Sequence, residues 1–179
     1  FSGESLIKEA LEQGDEILGI SRSLENKPCL LPYKWNSTDR FQFRQLDLND
    51  HTAEIINEIK NFKTTHVINF AAQAMVAESW QNPDHWYQTN VVANVRLHEQ
   101  LRQINSLRKY VHVSTPEVYG SCSGLVDESH PFSPSTPYAT SRAACDMHML
   151  NFFKNYDFPV VFTRAANVYG PGQQLYRII

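Results

Sequence analysis

The sequence has few cysteines, no long apolar run and no concentration of either charge. Its three thiols, Cys29, Cys122 and Cys145, are far apart and in no CxxC spacing, which argues against a disulfide framework and against a cysteine-built zinc site. A reducing cytoplasm is the expected compartment, and no metal is expected. No apolar stretch approaches the roughly 20 residues of a membrane span, and the opening residues lack the order of a signal peptide. The net charge is -3 and the basic residues are scattered, so neither nucleic acid nor an anionic membrane is an expected partner. Neither a methionine nor a strand precedes Phe1-Ser2-Gly3, which runs directly into a helical pattern. The apolar Tyr176-Arg177-Ile178-Ile179 stops without a cap. Truncation at both ends is therefore expected.

What is present is enough for a core: 179 residues, 42% of them hydrophobic, fit one domain. Leu6, Ile7, Ala10 and Leu11 repeat at helical spacing before Gly14, a residue suited to a helix C-cap. Strand-length apolar runs follow at residues 16–20, 40–46, 66–70, 109–114 and 160–163. Between them lie helical patterns around Ile55, Ile56 and Ile59, from Asp84 to Ile104, and from Tyr138 to Tyr156. Alternation of this kind predicts an α/β fold, a parallel sheet with helices on both faces joined by right-handed crossovers. The longest stretch without regular structure, Gly120 to Pro137, has the length of a functional loop.

Ligands of open parallel sheets bind beyond the carboxyl ends of the strands. The residues there are Ser21-Arg22, Asp47-Leu48, Ala71-Ala72-Gln73, Ser114-Thr115 and Ala165-Ala166-Asn167. Small and polar residues end strands in many proteins, so each cluster alone carries little. Their combination with Tyr138-Ala-Thr-Ser-Arg142 carries more, because tyrosine and arginine then stand one turn apart on a helix that follows the long loop. A phenol ionises near pH 10 in water, and a neighbouring cation brings that value down. A strand-end hydroxyl, a phenol and a cation together predict a proton-transfer site.

At these residues the sequence resembles the extended short-chain dehydrogenase/reductases that act on nucleotide-activated sugars. The resemblance implies a Rossmann-type, NAD(P)-binding domain over residues 1–179, missing its first strand and a C-terminal substrate domain. Gly3 resembles the last glycine of the pyrophosphate loop, Asp47-Leu48 the adenine contact, Ala71-Ala72-Gln73 the cofactor-lining turn and Asn90 the helix asparagine of the cofactor site. Arg164-Ala-Ala-Asn167-Val-Tyr-Gly-Pro-Gly172 is similar to the family's signature, in which Asn167 would meet the sugar nucleotide. Ser114 and Thr115 would line the same site. Ser21-Arg22, in place of the usual acid, suits a 2′-phosphate and points modestly to NADP over NAD.

Ser114-Thr115-Pro116-Glu117 narrows the resemblance to the 4,6-dehydratases of dTDP-glucose and GDP-mannose, which carry a glutamate at that place. The implied enzyme is a lyase with a recycled cofactor. Tyr138 removes the C4 hydroxyl proton as hydride leaves C4, Thr115 bonds the C4 oxygen, Glu117 takes the C5 proton, water leaves C6 and hydride returns there. Two departures stand out. Pro116 replaces an aspartate that acts as general acid in the dTDP-glucose enzymes, and Arg142 replaces a lysine. A 4-epimerase or uronate decarboxylase of the same family is the enzymatic alternative, and a non-catalytic dinucleotide-binding protein is the other. The resemblance also implies a homodimer of the full-length protein and an inactive fragment.

Overall fold

The computed structural model describes residues 1–35, 39–170 and 173. Two compact units make it up, Phe1–Asp47 with Asn167–Ile179, and Leu48–Ala166.

The first unit opens on α1 (Ser2–Gln13), ended by Gly14 at φ 96°, a left-handed position that glycine takes without steric cost. β1 (Ile17–Ser21) and β2 (Phe41–Gln45) pair in parallel, Ile17 opposite Phe41 and Ser21 opposite Gln45. Leu11, Leu31 and Tyr33 form the buried cluster of this unit, with Ile7, Ile17 and Phe41 packed against it. The short turns Pro28–Leu30 and Pro32–Trp35 bring Leu31 and Tyr33 there.

The second unit holds a three-stranded parallel sheet in the order β3 (His66–Asn69), β4 (Lys109–Val113), β5 (Val160–Thr163). α2 (Thr52–Asn61) precedes β3 and buries Ile55, Ile56 and Ile59. Between β3 and β4 run α3 (Pro83–Tyr87), a wide π turn (Gln88–Ala93) and α4 (Asn94–Leu101). The 20-residue α5 (Pro137–Tyr156) links β4 to β5, giving the parallel crossover that alternation implies. Every strand is parallel to its neighbour, as expected.

β4 sets the layout of this unit. Its burial alternates, with Tyr110 and His112 wholly buried, because successive strand residues point to opposite faces. On that face His98 of α4 meets Tyr110 edge-on and His112 lies under Arg142 of α5. The polar groups are largely paired: Asn69 donates to the Asn94 side chain at 2.7 Å and to the Tyr110 hydroxyl at 2.8 Å, and that hydroxyl is 2.7 Å from His98 Nε2. Leu101, Met149 and Phe158 fill the apolar remainder.

Candidate active site

β4 ends at Val113, and the chain turns immediately. Thr115 caps the short turn Pro116–Tyr119, its hydroxyl accepting from the Glu117 N–H at 3.3 Å. Pro116 occupies the first position of that turn, where no N–H is required. Ser114 and Thr115 are buried, whereas Glu117 is exposed at the turn's outer edge. Gly120 closes the turn at φ 72°, and the loop returns so that the Ser133 N–H donates to the Val118 carbonyl at 3.0 Å.

The loop leads to the N-terminus of α5. Thr136 caps it, accepting from the Ala139 N–H at 3.0 Å, and Ser79 accepts from the Tyr138 N–H at 3.2 Å. The backbone of Tyr138 is thus held from two sides. Burial raises the phenol above its usual range. Arg142 and Thr115 oppose that shift, the negative charges of Glu117 and Asp146 add to it, and the net direction is upward. Arg142 acts on the phenol in the expected direction, and desolvation of the half-buried ring exceeds its effect.

Arg142 itself is 1% exposed. Its guanidinium faces the end of β4, one Nη2 donating to the Val113 carbonyl and lying 3.2 Å from His112 Nε2. Nε and Nη1 have no hydrogen-bond partner. Burial, the nearby Arg142, His98 and Arg164 push His112 well below the ordinary imidazole range, so it is a neutral acceptor. His98, His112 and Cys145 bring one ligand atom each to within 4.8 Å of one another. The Arg142 guanidinium already occupies His112 Nε2 at 3.2 Å, and the Asp146 carboxylate stands 3.5 Å from the same nitrogen.

Thr115, Glu117, Tyr138 and Arg142 are thus gathered in one unit, with Ser114 behind them. Ala71-Ala72-Gln73 follows β3 in the same unit, with Ala71 exposed and its N–H bonded to Asn69 Oδ1 at 2.9 Å. Asn90, in the π turn, is wholly buried and bonds Gln73 and Ser141. Leu48 is buried at the start of this unit, and its carbonyl accepts from Thr52 Oγ1 at 3.0 Å. Gly3 in α1, Ser21 and Arg22 at the end of β1, Asp47, and Asn167 belong to the other unit. Ser21, Arg22 and Asn167 are exposed, and the Arg22 carbonyl accepts from Gln45 Nε2 at 3.1 Å. Gly172 and the tail from Tyr176 to Ile179 lie outside the described residues.

Asp146, Arg164 and His112 went unread in the sequence as members of this neighbourhood. The available signal was spacing, since Tyr138, Arg142 and Asp146 follow one another every four residues along α5 and so fall on one helical face. A pocket lined by Leu101, Tyr156 and Pro159 lies at the amino ends of β4 and β5, the edge opposite Thr115.

Backbone at the exposed Ala71, carrying no side chain larger than a methyl group, leaves room for a flat ring system, and the buried Arg142 places a positive charge at the end of β4. The residues therefore fit a dinucleotide. The comparisons agree in kind. A "Probable dTDP-glucose 4,6-dehydratase" of Sinorhizobium fredii is 32% identical over 96% of this chain and 51% of its own length. A solved dTDP-glucose 4,6-dehydratase of Streptomyces venezuelae with NAD bound is 28% identical with a TM-score of 0.83, over 98% of this chain and 56% of that one. The UDP-glucose 4-epimerase of Thermus thermophilus in complex with NAD is 29% identical with a TM-score of 0.83, over 97% of this chain and 54% of that one. The chain spans about half the length of the curated relatives it matches. Among the described residues no helix is long and apolar enough to cross a membrane. The family model described as GDP-mannose 4,6 dehydratase matches residues 1–178, and with that match over nearly its whole length this chain belongs to the GDP-mannose 4,6 dehydratase family.

Proposed function

We propose that the full-length protein is a nucleotide-sugar 4,6-dehydratase, a lyase acting on a dTDP- or GDP-hexose with a recycled nicotinamide cofactor. What supports this reading is that Thr115 lies just after β4 and Glu117 in the turn that follows, in the same unit as Tyr138 and Arg142 at the start of α5, and that the Arg142 guanidinium donates to the Val113 carbonyl at the end of that strand.

In this reading Gly3, Ser21, Arg22, Asp47, Leu48, Ala71, Ala72, Gln73, Asn90, Ser114, Tyr138 and Arg142 hold the cofactor within one binding domain, and Asn167 meets the sugar nucleotide. The cofactor supplies a hydride acceptor that is restored within each turnover. Tyr138 takes the C4 hydroxyl proton, and Thr115 donates to the C4 oxygen. Arg142 would act on the phenol together with the positive charge that an oxidised nicotinamide ring supplies when bound. Glu117, exposed and free of any ion pair among the described residues, removes the C5 proton. Because Pro116 cannot transfer a proton, Glu117 also delivers that proton to the departing C6 oxygen.

The exposed Arg22 at the end of β1 supports NADP, whereas the two solved relatives named above hold NAD. Comparison of kcat/KM for the two cofactors in the full-length protein decides this, and a preference for NAD refutes it. The exposed apolar residues Met147, Leu150 and Phe153 of α5 support a homodimer, tested by sedimentation. The three free thiols fit a reducing cytoplasm. The reaction is tested by incubating the full-length protein separately with dTDP-glucose, GDP-mannose and a nucleotide uronate. A product lighter by one water is expected, an unchanged mass indicates the epimerase alternative, and loss of carbon dioxide from a uronate indicates the decarboxylase.

A further inference from the structure

α5 presents Tyr138, Arg142 and Asp146 at intervals of four residues, so they share one face. Asp146 is wholly buried. Its Oδ2 accepts from the Ser114 hydroxyl at 2.8 Å and from Arg164 Nη2 at 3.0 Å. Its Oδ1 stands 3.5 Å from His112 Nε2 and has no hydrogen-bond partner. Ser114 directly precedes Thr115, and Arg164 directly follows β5. One carboxylate therefore ties the carboxyl ends of two strands to the helix that carries the phenol.

A buried carboxylate is costly unless cations and donors compensate it, and a residue with only a packing role is made at lower cost from an apolar side chain. The groups that face Asp146 are Arg142 and Cys145 from α5, His112 from β4, Ser114 just after it, and Arg164 after β5. The groups that face the Tyr138 phenol are Thr115 and Glu117 from the strand end and turn, and Arg142 and Asp146 from its own helix. Arg142 is thus the charge common to both sets, and Asp146 is the buried anion that acts on it and on the phenol. We infer that Asp146 is a positioning residue, holding the Ser114–Thr115 strand end against α5, the helix that carries Tyr138, and offsetting the charge of Arg142. The inference rests on Tyr138 being the base of the proposed reaction.

Asp146→Asn tests it, because asparagine keeps the shape and can accept from Ser114 and Arg164 but carries no charge. In the full-length protein kcat is expected to fall roughly tenfold with KM little changed, in keeping with slight misplacement of a reacting group. The negative charge of Asp146 raises the phenol, so its removal lowers it, and the acid limb of the kcat profile moves to lower pH. Ultraviolet difference titration against Tyr138→Phe reads the same shift without turnover, so it tests Asp146 even when no substrate is converted. Ser114→Ala cuts the tie and keeps the charge; kcat is expected to fall with the phenol titration unmoved, and this variant decides the matter if Asp146→Asn does not fold. An unmoved phenol titration in a folded Asp146→Asn, or an unchanged kcat in Ser114→Ala, overturns the inference. Absence of turnover in the unaltered protein, with the titration shift present, overturns the functional reading alone.

Discussion

Asn90 holds Gln73 by both ends of its peptide: Asn90 Oδ1 accepts from the Gln73 N–H at 2.8 Å, and Asn90 Nδ2 donates to the Gln73 carbonyl at 3.0 Å. The same Nδ2 donates to Ser141 Oγ at 2.9 Å, so the turn after β3 is fastened to α5 through one amide. Asn90→Ala leaves these partners unsatisfied, each worth about 1–3 kcal/mol when buried. Urea unfolding is expected to show a loss on the order of 3 kcal/mol, and cofactor titration a weaker Kd. Equal stability would show that the turn holds itself.

Gly120 is fixed by its neighbour as well as by its backbone. At φ 72°, a Cβ there would stand 2.1 Å from the Ser133 carbonyl oxygen, a backbone atom anchored by the Ser133–Val118 bond. Gly120→Ala is expected to destabilise the protein by roughly 1–3 kcal/mol from the left-handed φ, with more from the clash, and to lower kcat through Glu117, three residues away. Thermal unfolding checks the first effect, and an unchanged Tm contradicts it.

Acid should weaken the fold through its buried histidines. Burial first, and His148 second, hold the His98 pKa down at about 3, and His112 is lowered in the same direction. In the unfolded chain these imidazoles titrate near about 6.5. The unfolded state therefore binds more protons below that value, and stability is lost as pH falls from about 6.5 toward 3. Each pH unit below about 6.5 costs about 1.4 kcal/mol per buried imidazole, so His98 alone accounts for about 2 kcal/mol at pH ~5. Urea midpoints at the two ends of this range measure it, and a flat dependence contradicts it.

The strands were legible because each is a short apolar run closed by polar residues, and β5 matches its predicted span from Val160 to Thr163. α1 was legible through Leu11 and Gly14. The π turn at Gln88–Ala93 was not, because one widened turn leaves the apolar stripe of Val91, Val92 and Val95 almost unchanged. The short turns around Pro32 and Ala77 were missed for want of any period. In the site, Thr115, Glu117, Tyr138 and Arg142 stood out as strand-end and helix-start residues. Asp146 and His112 did not, since a buried charge on a helix and a buried imidazole on a strand read as polar interruptions until their partners are seen.

Tyr138 and Thr115 carry the first half of the proposed reaction. Tyr138→Phe in the full-length protein keeps the ring and removes the base, so turnover is expected to fall by about 10²–10⁴ while cofactor binding and thermal stability change little. Retained turnover would remove Tyr138 from the chemistry.

The proposed reaction stands most directly on Glu117. Glu117→Gln in the full-length protein, incubated with the nucleotide hexose in deuterated water, is expected to fold and bind as before and to form the dehydrated product about 10²–10⁴ times more slowly, whereas the unaltered protein gives a product that has lost one water and gained one deuterium at C5. Dehydration at an undiminished rate in the variant, or a deuterium-free product of unchanged mass from the unaltered protein, would contradict the account.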